Sequence, residues 1–277
     1  MNLFTNICIV IIAIFIVFFL LYLFMICPEL TRRERMKPFF GQMWAHRGLH
    51  NMSRRIPENS MLAFTKAIEN NYGIELDVHL TADRRLVVFH DDDLQRVCDA
   101  SGTIERMTYE ELQQFHLSGT FEKIPLFTDV LDHVYGRVPL LIEIKMPTKD
   151  TLICKYVKEA LDSYRGPYLI ESFNSLALRW FRNNDPKTLR GQLSCNLVKD
   201  KDADSPMWLR FFVQHLLINW YCGPDFIAYG YKDAHNLGLW LNKHLFHTPI
   251  AVWTLKTAET LNVAKKTYDM YIFEHKC

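Results

Sequence analysis

Apolar and polar positions alternate along most of the chain in two kinds of run. Short runs rich in β-branched and aromatic residues are separated by stretches in which apolar residues recur every three or four positions. Because parallel strands need a helical crossover between them, this alternation predicts βα units around a parallel sheet. The predicted strands are residues 42–45, 73–80, 85–90, 138–145, 168–172, 191–195, 225–229, 249–254 and 270–273.

The helical stretches lie between most of these strands. Counting residues 73–90 as one barrel strand with a short extension gives eight strands, the number that closes a (β/α)8 barrel. Residues 91–121 interrupt the alternation with a Ser101-Gly102 turn and an acidic helical pattern. We therefore predict an α/β fold, a TIM (β/α)8 barrel with a small insertion after the second strand. Helices are predicted at 59–70, 150–163, 175–184, 206–220, 234–244 and 257–267.

The N-terminal segment has a different pattern, since no charged residue occurs from Ile7 to Ile26. About 20 residues at ~1.5 Å each match a ~30 Å hydrocarbon layer, which predicts a transmembrane helix. A cleaved signal peptide is the alternative, but its apolar region is usually ~7–15 residues long and follows basic residues. Residues 2–6 carry no basic side chain.

The charges that follow the span predict its orientation. Basic residues flanking a span favour the cytoplasmic side, so we expect Asn2 outside the cytoplasm and Cys277 inside. The predicted division is an anchor at 1–27, a juxtamembrane segment at 28–41 and a barrel at 42–277. Four basic residues come directly after the apolar run: Arg32, Arg33, Arg35 and Lys37.

Composition adds three limits. The chain has 277 residues, 49% of them hydrophobic, which is enough for one large domain with a full core after the anchor is set aside. Lys and Arg number 32 against 31 Asp and Glu, and the formal charge of +1 argues against a nucleic-acid partner. The seven cysteines have no zinc or CxxC spacing, so we interpret them as reduced thiols.

Charged residues stand where several predicted strands end. His46 and Arg47 follow the first strand, and His90 ends the extension of the second. Side chains two apart on a strand point to the same side, as do Glu75 and Asp77. The same holds for Glu143 and Lys145 on the third strand. Catalytic groups in such barrels lie at the carboxyl ends of the strands, so these residues are the candidate site.

The three carboxylates Glu75, Asp77 and Glu143 would repel one another at the barrel mouth unless a cation lay between them. Oxygen ligands favour a hard ion, Mg²⁺ or Ca²⁺, over zinc. The alternative is that the carboxylates are only paired with Arg47 and Lys145. A histidine taken alone is more often structural, but beside a metal site His46 and His90 become candidates for proton transfer near neutral pH.

The motifs "AHRG", "PENS", "IELDVHLTAD", "VVFHDDDLQR", "IEIK" and "VWT" resemble those of the glycerophosphodiester phosphodiesterases, and the match covers almost all of residues 42–275. The resemblance implies a barrel phosphodiesterase with one divalent cation and a small inserted subdomain. It implies His46 and His90 as the general acid/base pair and Arg47 as the phosphate-binding arginine. It also implies a lysine facing the phosphate, Lys145, and the metal ligands Glu75, Asp77 and Glu143.

Some motif residues have more than one interpretation. Glu58 either orients Arg47 or the substrate, or stands beside a helix N-terminus where an acid is favourable, and Asn59 is the expected helix cap. Trp253 is a wall of the pocket or a core aromatic. The chain departs from the family pattern after its last strand, where an acidic turn, a proline and a final helix are usual. Glu274 is the candidate for the acidic position.

The expected function is metal-dependent hydrolysis of a glycerophosphodiester to glycerol 3-phosphate and an alcohol. One alternative is a lysophospholipase D that acts on lipid diesters in the membrane. The other is a membrane-bound module that senses phosphodiesters without turnover. The substrate and the membrane are therefore the expected partners.

The predicted helix over 206–220 has an unusually broad apolar face. An outer barrel helix needs only one apolar stripe against the strands. Either neighbouring helices bury the excess, or Trp208 and Phe211 lie in the membrane interface, where aromatic rings are favoured.

Overall fold

The computed structural model describes residues 3–199 and 205–274 of the chain. Within these residues one mixed sheet is formed, and most of its strands are buried along their whole length. The strands are β1 (Met43–Ala45), β2 (Gly73–Leu80), β3 (Leu86–Val88), β4 (Leu140–Ile144), β5 (Tyr168–Ser172), β6 (Arg190–Ser194), β7 (Phe226–Gly230), β8 (Ile250–Leu255) and β9 (Met270–Phe273).

The sheet closes on itself. Its order is β1-β9-β8-β7-β6-β5-β4-β2-β3, and an additional parallel pairing joins β1 to β2. Eight strands therefore form a parallel barrel, while β3 lies antiparallel to β2 as a short extension. The predicted (β/α)8 barrel is confirmed, and the strand boundaries differ from the prediction mainly at the ends.

Helices connect the strands around the outside. One of them, α5, was not predicted, although its buried residues Phe127, Val130, Leu131 and Val134 have the i, i+3, i+4, i+7 spacing of an amphipathic helix. The helices are α1 (Leu3–Ile26), α2 (Met61–Glu69), α3 (Gln95–Cys98), α4 (Tyr109–Leu112), α5 (Phe127–Val134), α6 (Leu152–Asp162), α7 (Ser175–Asn184), α8 (Met207–Gln214), α9 (Asn219–Cys222), α10 (Leu237–His244) and α11 (Ala258–Ala264).

The single helix predicted over 206–220 is wrong, because the chain breaks it into α8 and α9. Leu216, which is fully buried, adopts a left-handed φ of 61° between them. The last turn of α8 is held from outside the helix: the Tyr229 hydroxyl and the Asn236 amide both donate to the Gln214 carbonyl. These tertiary bonds satisfy a carbonyl that a longer helix would have used.

The segment after β3 folds around its own apolar cluster, apart from the barrel core. The Thr108 side chain and Glu111 form a reciprocal capping box that starts α4. The cluster comprises Val87, Phe89, Leu94, Val97, Ile104, Leu112, Leu117 and Ile124.

The N-terminal helix α1 is long and apolar enough to cross a membrane, and it is exposed except in its last turn. A 3-10 helix follows (Arg33–Phe39) and closes the amino end of the barrel, where Phe39 stacks on Trp44 at 6.2 Å. Arg32 fixes this segment by an ion pair of 2.7 Å with Asp225, just before β7. The residues named in the predicted topology, Asn2 and Cys277, lie outside the described residues.

Candidate active site

The turn after β1 brings two candidate residues to the barrel mouth. Arg47 and Gly48 both have positive φ, 55° and 77°. A side chain at Gly48 would place its Cβ 2.9 Å from that of Ala63, so glycine is needed for the backbone and for the space. The Arg47 amide donates to Glu75 Oε2 at 2.8 Å, which ties the turn to β2.

Strand register brings the carboxylates together. Asp77, Glu143 and Glu171 are paired across β2, β4 and β5, so their side chains share one layer of the barrel interior. Glu75 lies one layer lower on β2. All four are buried. Oxygens of Glu75, Asp77 and Glu143 lie within 4.8 Å of one another, as the sequence predicted.

Cationic side chains compensate part of this charge. Lys145 Nζ lies 2.9 Å from Asp77 Oδ1 and 2.7 Å from Glu143 Oε1, and Arg47 Nε lies 3.7 Å from Asp77 Oδ2. Burial raises the pKa of Asp77, but Lys145 and the other cations outweigh this and lower it. Burial, followed by the Asp77 and Glu143 charges, raises the pKa of Glu75 well above its ordinary value. Burial also raises the pKa of Glu143.

Glu171 is the residue that sequence reasoning missed. It is 1% exposed, and its Oε2 has no hydrogen-bond partner among the described residues. Burial, followed by the Glu75, Glu143 and Asp77 charges, raises its pKa well above the ordinary value. The available signal was one acid at an inward position of the apolar run YLIES, two residues after Leu169.

The residues present fit a divalent cation. Four buried carboxyl groups face two cationic side chains, so with all four ionised the group would carry two uncompensated negative charges, which a 2+ ion would balance. The donors are all oxygen, which suits Mg²⁺ or Ca²⁺. The ion pairs of the alternative interpretation are also formed, but among the described residues they leave Glu171 without an ion-pair partner, and Glu75 has only the His46 imidazole at 4.0 Å.

His46 is positioned by the end of β9. Its Nδ1 lies 3.1 Å from Glu274 Oε1, and Lys256 pairs with the same carboxylate at 2.9 Å. The hydrogen bond from His46 lowers the pKa of Glu274 to about 2. Burial lowers the pKa of His46 to about 4, so the imidazole is neutral near pH 7. Its Nε2 lies 4.0 Å from Glu75 Oε2.

His90 is positioned by a network that includes the insertion. Its Nδ1 lies 2.5 Å from Asp91 Oδ1. Arg96, on α3, donates to both oxygens of Asp91 and to both oxygens of Glu58. Glu58 also accepts a 2.7 Å bond from Arg47 Nη1. Burial raises the pKa of Glu58, but bonds and charges from Arg96 and Arg47 outweigh it and lower the pKa to about 2.

Asn59 does not cap α2, contrary to the sequence prediction. The cap is Ser60, whose hydroxyl accepts from the Ala63 amide at 3.1 Å. Asn59 has a left-handed φ of 51° and points its amide into the site, donating to Asp77 Oδ2 at 2.8 Å. The residue is 1% exposed, so it belongs to the buried polar layer rather than to the helix end.

Trp253, at the carboxyl end of β8, is half-buried. Its ring meets Phe173 edge-on, with 5.7 Å between centroids. Both rings pack on the upper part of the inner core. This position is consistent with a wall at the barrel mouth. The neighbouring Ser172 has a structural bond, since its hydroxyl donates to the Ile144 carbonyl at 2.7 Å.

A closed (β/α)8 barrel that gathers buried carboxylates, two cationic side chains and two carboxylate-bonded histidines at its mouth has the architecture of a barrel enzyme. Residues 46–266 match the glycerophosphoryl diester phosphodiesterase family. The chain belongs to this family, as its motifs predicted.

Individual relatives agree. The chain is 32% identical over 176 residues to a glycerophosphodiester phosphodiesterase of Bacillus altitudinis, covering 58% of this chain and 69% of that one. It is 27% identical over 155 residues to a lysophospholipase D of Homo sapiens, covering 51% of this chain and 48% of that one.

A solved structure shares the fold. It is an Oleispira antarctica phosphodiesterase in complex with the product sn-glycerol-3-phosphate, with a TM-score of 0.69 and 22% identity. The similarity covers 86% of this chain and 94% of that one.

Proposed function

We propose that this chain hydrolyses a glycerophosphodiester to glycerol 3-phosphate and an alcohol, using one divalent cation and the histidines His46 and His90. The observation that carries the proposal is that both histidines have Nδ1 bonded to a carboxylate beside the buried acidic layer. A carboxylate at Nδ1 fixes the proton there, which leaves Nε2 to exchange a proton with the substrate.

Each charged group has a separate task in this proposal. Glu75, Asp77 and Glu143 would hold the cation, Mg²⁺ or Ca²⁺. When bound, the cation neutralises charge that grows on the phosphoryl oxygens. Arg47 and Lys145 bind the diester, with Arg47 held in place by Glu58. Trp253 forms a side of the pocket for the alcohol.

The proton transfers follow two possible routes. In the first, one histidine takes a proton from water that attacks phosphorus, and the other protonates the leaving alkoxide. In the second, one histidine takes the proton of the glycerol 2-hydroxyl, which attacks phosphorus and expels the alcohol, protonated by the other histidine, to leave a cyclic phosphate; water then opens this ring while the histidines exchange roles. Because burial lowers the pKa of His46 to about 4, its imidazole is unprotonated near pH 7, as the residue that accepts the first proton must be.

Arg96 is a positioning residue in the same proposal. It joins the partner of Arg47, Glu58, to the partner of His90, Asp91, through four hydrogen bonds. A network that fixes the phosphate-binding and proton-transfer groups relative to one another lowers the free energy needed to reach the reactive geometry.

The proposed location is a membrane, with the barrel on its cytoplasmic side. The proposal divides the chain into an anchor at 1–27, a juxtamembrane segment at 28–41, and a barrel from 42 onwards with an insertion at about 91–121. The apolar helix α1 supports the anchor, and the basic residues after it support the orientation.

A second candidate is lysophospholipase D activity at the same site. It is favoured by the human relative of that name and by the apolar helix, which would hold the site near amphiphilic substrates.

The deciding experiment assays the full chain in detergent micelles against glycerophosphocholine, glycerophosphoethanolamine, glycerophosphoglycerol and lysolipids. Each assay is run with chelator, with Mg²⁺ and with Ca²⁺. Metal-dependent release of glycerol 3-phosphate from the soluble diesters supports the first activity, and turnover of lysolipids alone supports the second. Binding without turnover of any substrate would make the chain a sensing module and refute both.

A further inference from the structure

An exposed aromatic face lies on the side of the barrel where α1 ends. We define the aromatic face as Met207, Trp208, Phe211 and Trp220, which are 58%, 63%, 45% and 42% exposed. On the same helix as the first three, Val213 is buried against the barrel, so the face is the outer side of α8 and α9. Large apolar side chains grouped on a surface in this way mark an interaction site.

The end of α1 is built into this side of the barrel. The buried amides of Asn219 and Asn242 both donate to the Ile26 carbonyl, each at 3.1 Å, and so satisfy a carbonyl at the C-terminal end of α1. The rings of Phe24 and Trp220 lie 5.6 Å apart. Three residues after α1, the Glu29 amide donates to the Pro224 carbonyl at 2.8 Å. No linker therefore separates the helix from the domain.

The length of α1 determines the depth in a bilayer at which these contacts would lie. Only its last turn, from Tyr22 onwards, packs on the barrel, and the preceding residues are almost all exposed. Residues 3–21 rise about 28 Å at ~1.5 Å per residue, close to the ~30 Å of a hydrocarbon layer. If that stretch spans the bilayer, the turn that contacts α9 lies at the boundary between hydrocarbon and headgroups.

The other residues of the aromatic face, Met207, Trp208 and Phe211, lie on α8, which a short connection joins to α9. Residues 215–218 join α8 to α9, and even a fully extended connection of ~3.5 Å per residue would keep their ends within about 20 Å. The connection is tighter than that, because the Leu217 amide donates to the Phe212 carbonyl and the Asn219 amide to the Leu216 carbonyl. Trp208 and Phe211 therefore lie on the helix directly before the one that carries Trp220.

We propose that the aromatic face is a membrane-interface contact, covered by the headgroup and upper acyl region of the bilayer that α1 crosses. Tryptophan is favoured at this depth because its ring is apolar and its N–H is polar. The proposal deepens the proposed membrane location and rests on α1 being a retained span. It adds that the barrel lies on the bilayer by its α8–α9 side instead of projecting away from it.

The experiment uses the full chain in vesicles of phosphatidylcholine and phosphatidylglycerol. Benzoylphenylalanine is placed in turn at Trp208 and Phe211, irradiated, and the adducts are identified by mass. Phe15, 71% exposed within α1, tests the span itself. Phe121 and Tyr135, 91% and 83% exposed, are the matched controls. They flank the β2–β4 side, and β2 is four strands from β7 in either direction around the barrel.

The proposal expects lipid adducts at 208 and 211 with a yield comparable to that at 15, and none at 121 or 135. Lipid adducts at 15 but none at 208 or 211 would overturn the membrane contact while leaving the span intact. Adducts from 208 or 211 to a second copy of the chain would show that the aromatic face is a self-association surface and would overturn the bilayer contact. The absence of lipid adducts at 15 would refute the span and, with it, the contact that rests on it.

Discussion

Two groups of charged residues meet at the barrel mouth, and they are held in different ways. The strand set is carried by β2, β4 and β5 or the residue after them: Glu75, Asp77, Glu143, Lys145 and Glu171. The loop set is carried by turns and by the insertion: Arg47, Glu58, His90, Asp91 and Arg96.

The pKa values of most acidic residues shift in opposite directions in the two sets. In the strand set, burial and mutual repulsion raise the pKa of Glu75, Glu143 and Glu171, whereas Lys145 and the other cations lower that of Asp77. In the loop set, burial is outweighed by hydrogen bonds and cations, which lower the pKa of Glu58 and Asp91. In this site the strands hold carboxylates that repel one another, whereas each acid of the loop set is bonded to a cationic side chain. The strand set is therefore suited to a cation, and the loop set to orienting side chains that contact substrate.

The largest effect is expected at the two histidines of the site, His46 and His90. His46→Ala and His90→Ala should each lower turnover by ~10²–10⁴-fold with the fold intact, because each removes a proton-transfer group. Steady-state kinetics with circular dichroism check this. His116→Ala, on the exposed surface of the insertion, is the control. Activity within a few fold of wild type for either variant would remove that histidine from the mechanism.

Next in size is the loss of metal affinity in the strand set. Glu75→Gln, Asp77→Asn and Glu143→Gln should each weaken binding by at least about tenfold, since an amide oxygen attracts a hard cation less than a carboxylate does. Calorimetric titration of Mg²⁺ and Ca²⁺ into metal-free protein measures this.

The matched control for these titrations is Glu110→Gln, an exposed acid of the insertion. Unchanged affinity in all three strand-set variants would place the cation elsewhere and break the distinction between the sets.

A smaller effect is expected at the centre of the loop set. Arg96→Ala should lower turnover by about tenfold, less than the ~10²-fold cost of a 1 Å misplacement. The acidic limb of the pH–rate profile should move to higher pH, because Asp91 loses a cation that lowers its pKa. Arg96→Lys should restore part of the rate. Arg106→Ala, an exposed arginine of the same insertion, is the control; an unshifted profile in Arg96→Ala would reduce Arg96 to a structural role.

The smallest effect is expected in the pH dependence of the free energy of unfolding. It is measured in the presence of chelator on variants of one acid from each set. The pKa of Glu58 is lowered from 4.5 to about 2, so this residue stabilises the fold above pH 4.5 and the contribution is lost as pH falls towards 2. Glu58→Gln should therefore be less stable near pH 7, with a difference that closes on acidification.

Glu171, in contrast, has a raised pKa, so its ionisation opposes folding above pH 4.5. Glu171→Gln should gain stability relative to wild type as pH rises. Denaturant unfolding at several pH values measures both, and slopes of the same sign would contradict the comparison.

The sequence predicted the strand set better than the loop set for a physical reason. Strand side chains obey a period of two, so Glu75 and Asp77 were assigned to one side before any contact was known. The hydrogen bonds from Arg96 to Glu58 join residues 38 positions apart, and no local pattern predicts such a pair. Asparagine is a favourable N-cap residue, so the sequence predicts Asn59 as the cap, but the helix begins one residue later and its N-cap is Ser60.

The helical predictions failed where tertiary contacts override local pattern. The break at Leu216 depends on Tyr229 and Asn236, which lie on and after β7. The missed helix α5 had a clear amphipathic pattern and could have been predicted from it. The family motifs supplied a hypothesis that periodicity could not, namely which of the charged residues are proposed to act on phosphate.

If α1 spans a bilayer as proposed, its direct joint with the barrel makes bilayer thickness a mechanical variable. A spanning helix adjusts to a thinner or thicker bilayer by changing its tilt. Here the Ile26 carbonyl is bonded to two side chains of the barrel, and Arg32 forms an ion pair with Asp225, so the end of the helix is tied to the barrel on both sides of the junction. The helix would act as a lever, and each degree of tilt would turn the whole barrel and change the height of its mouth above the lipid surface.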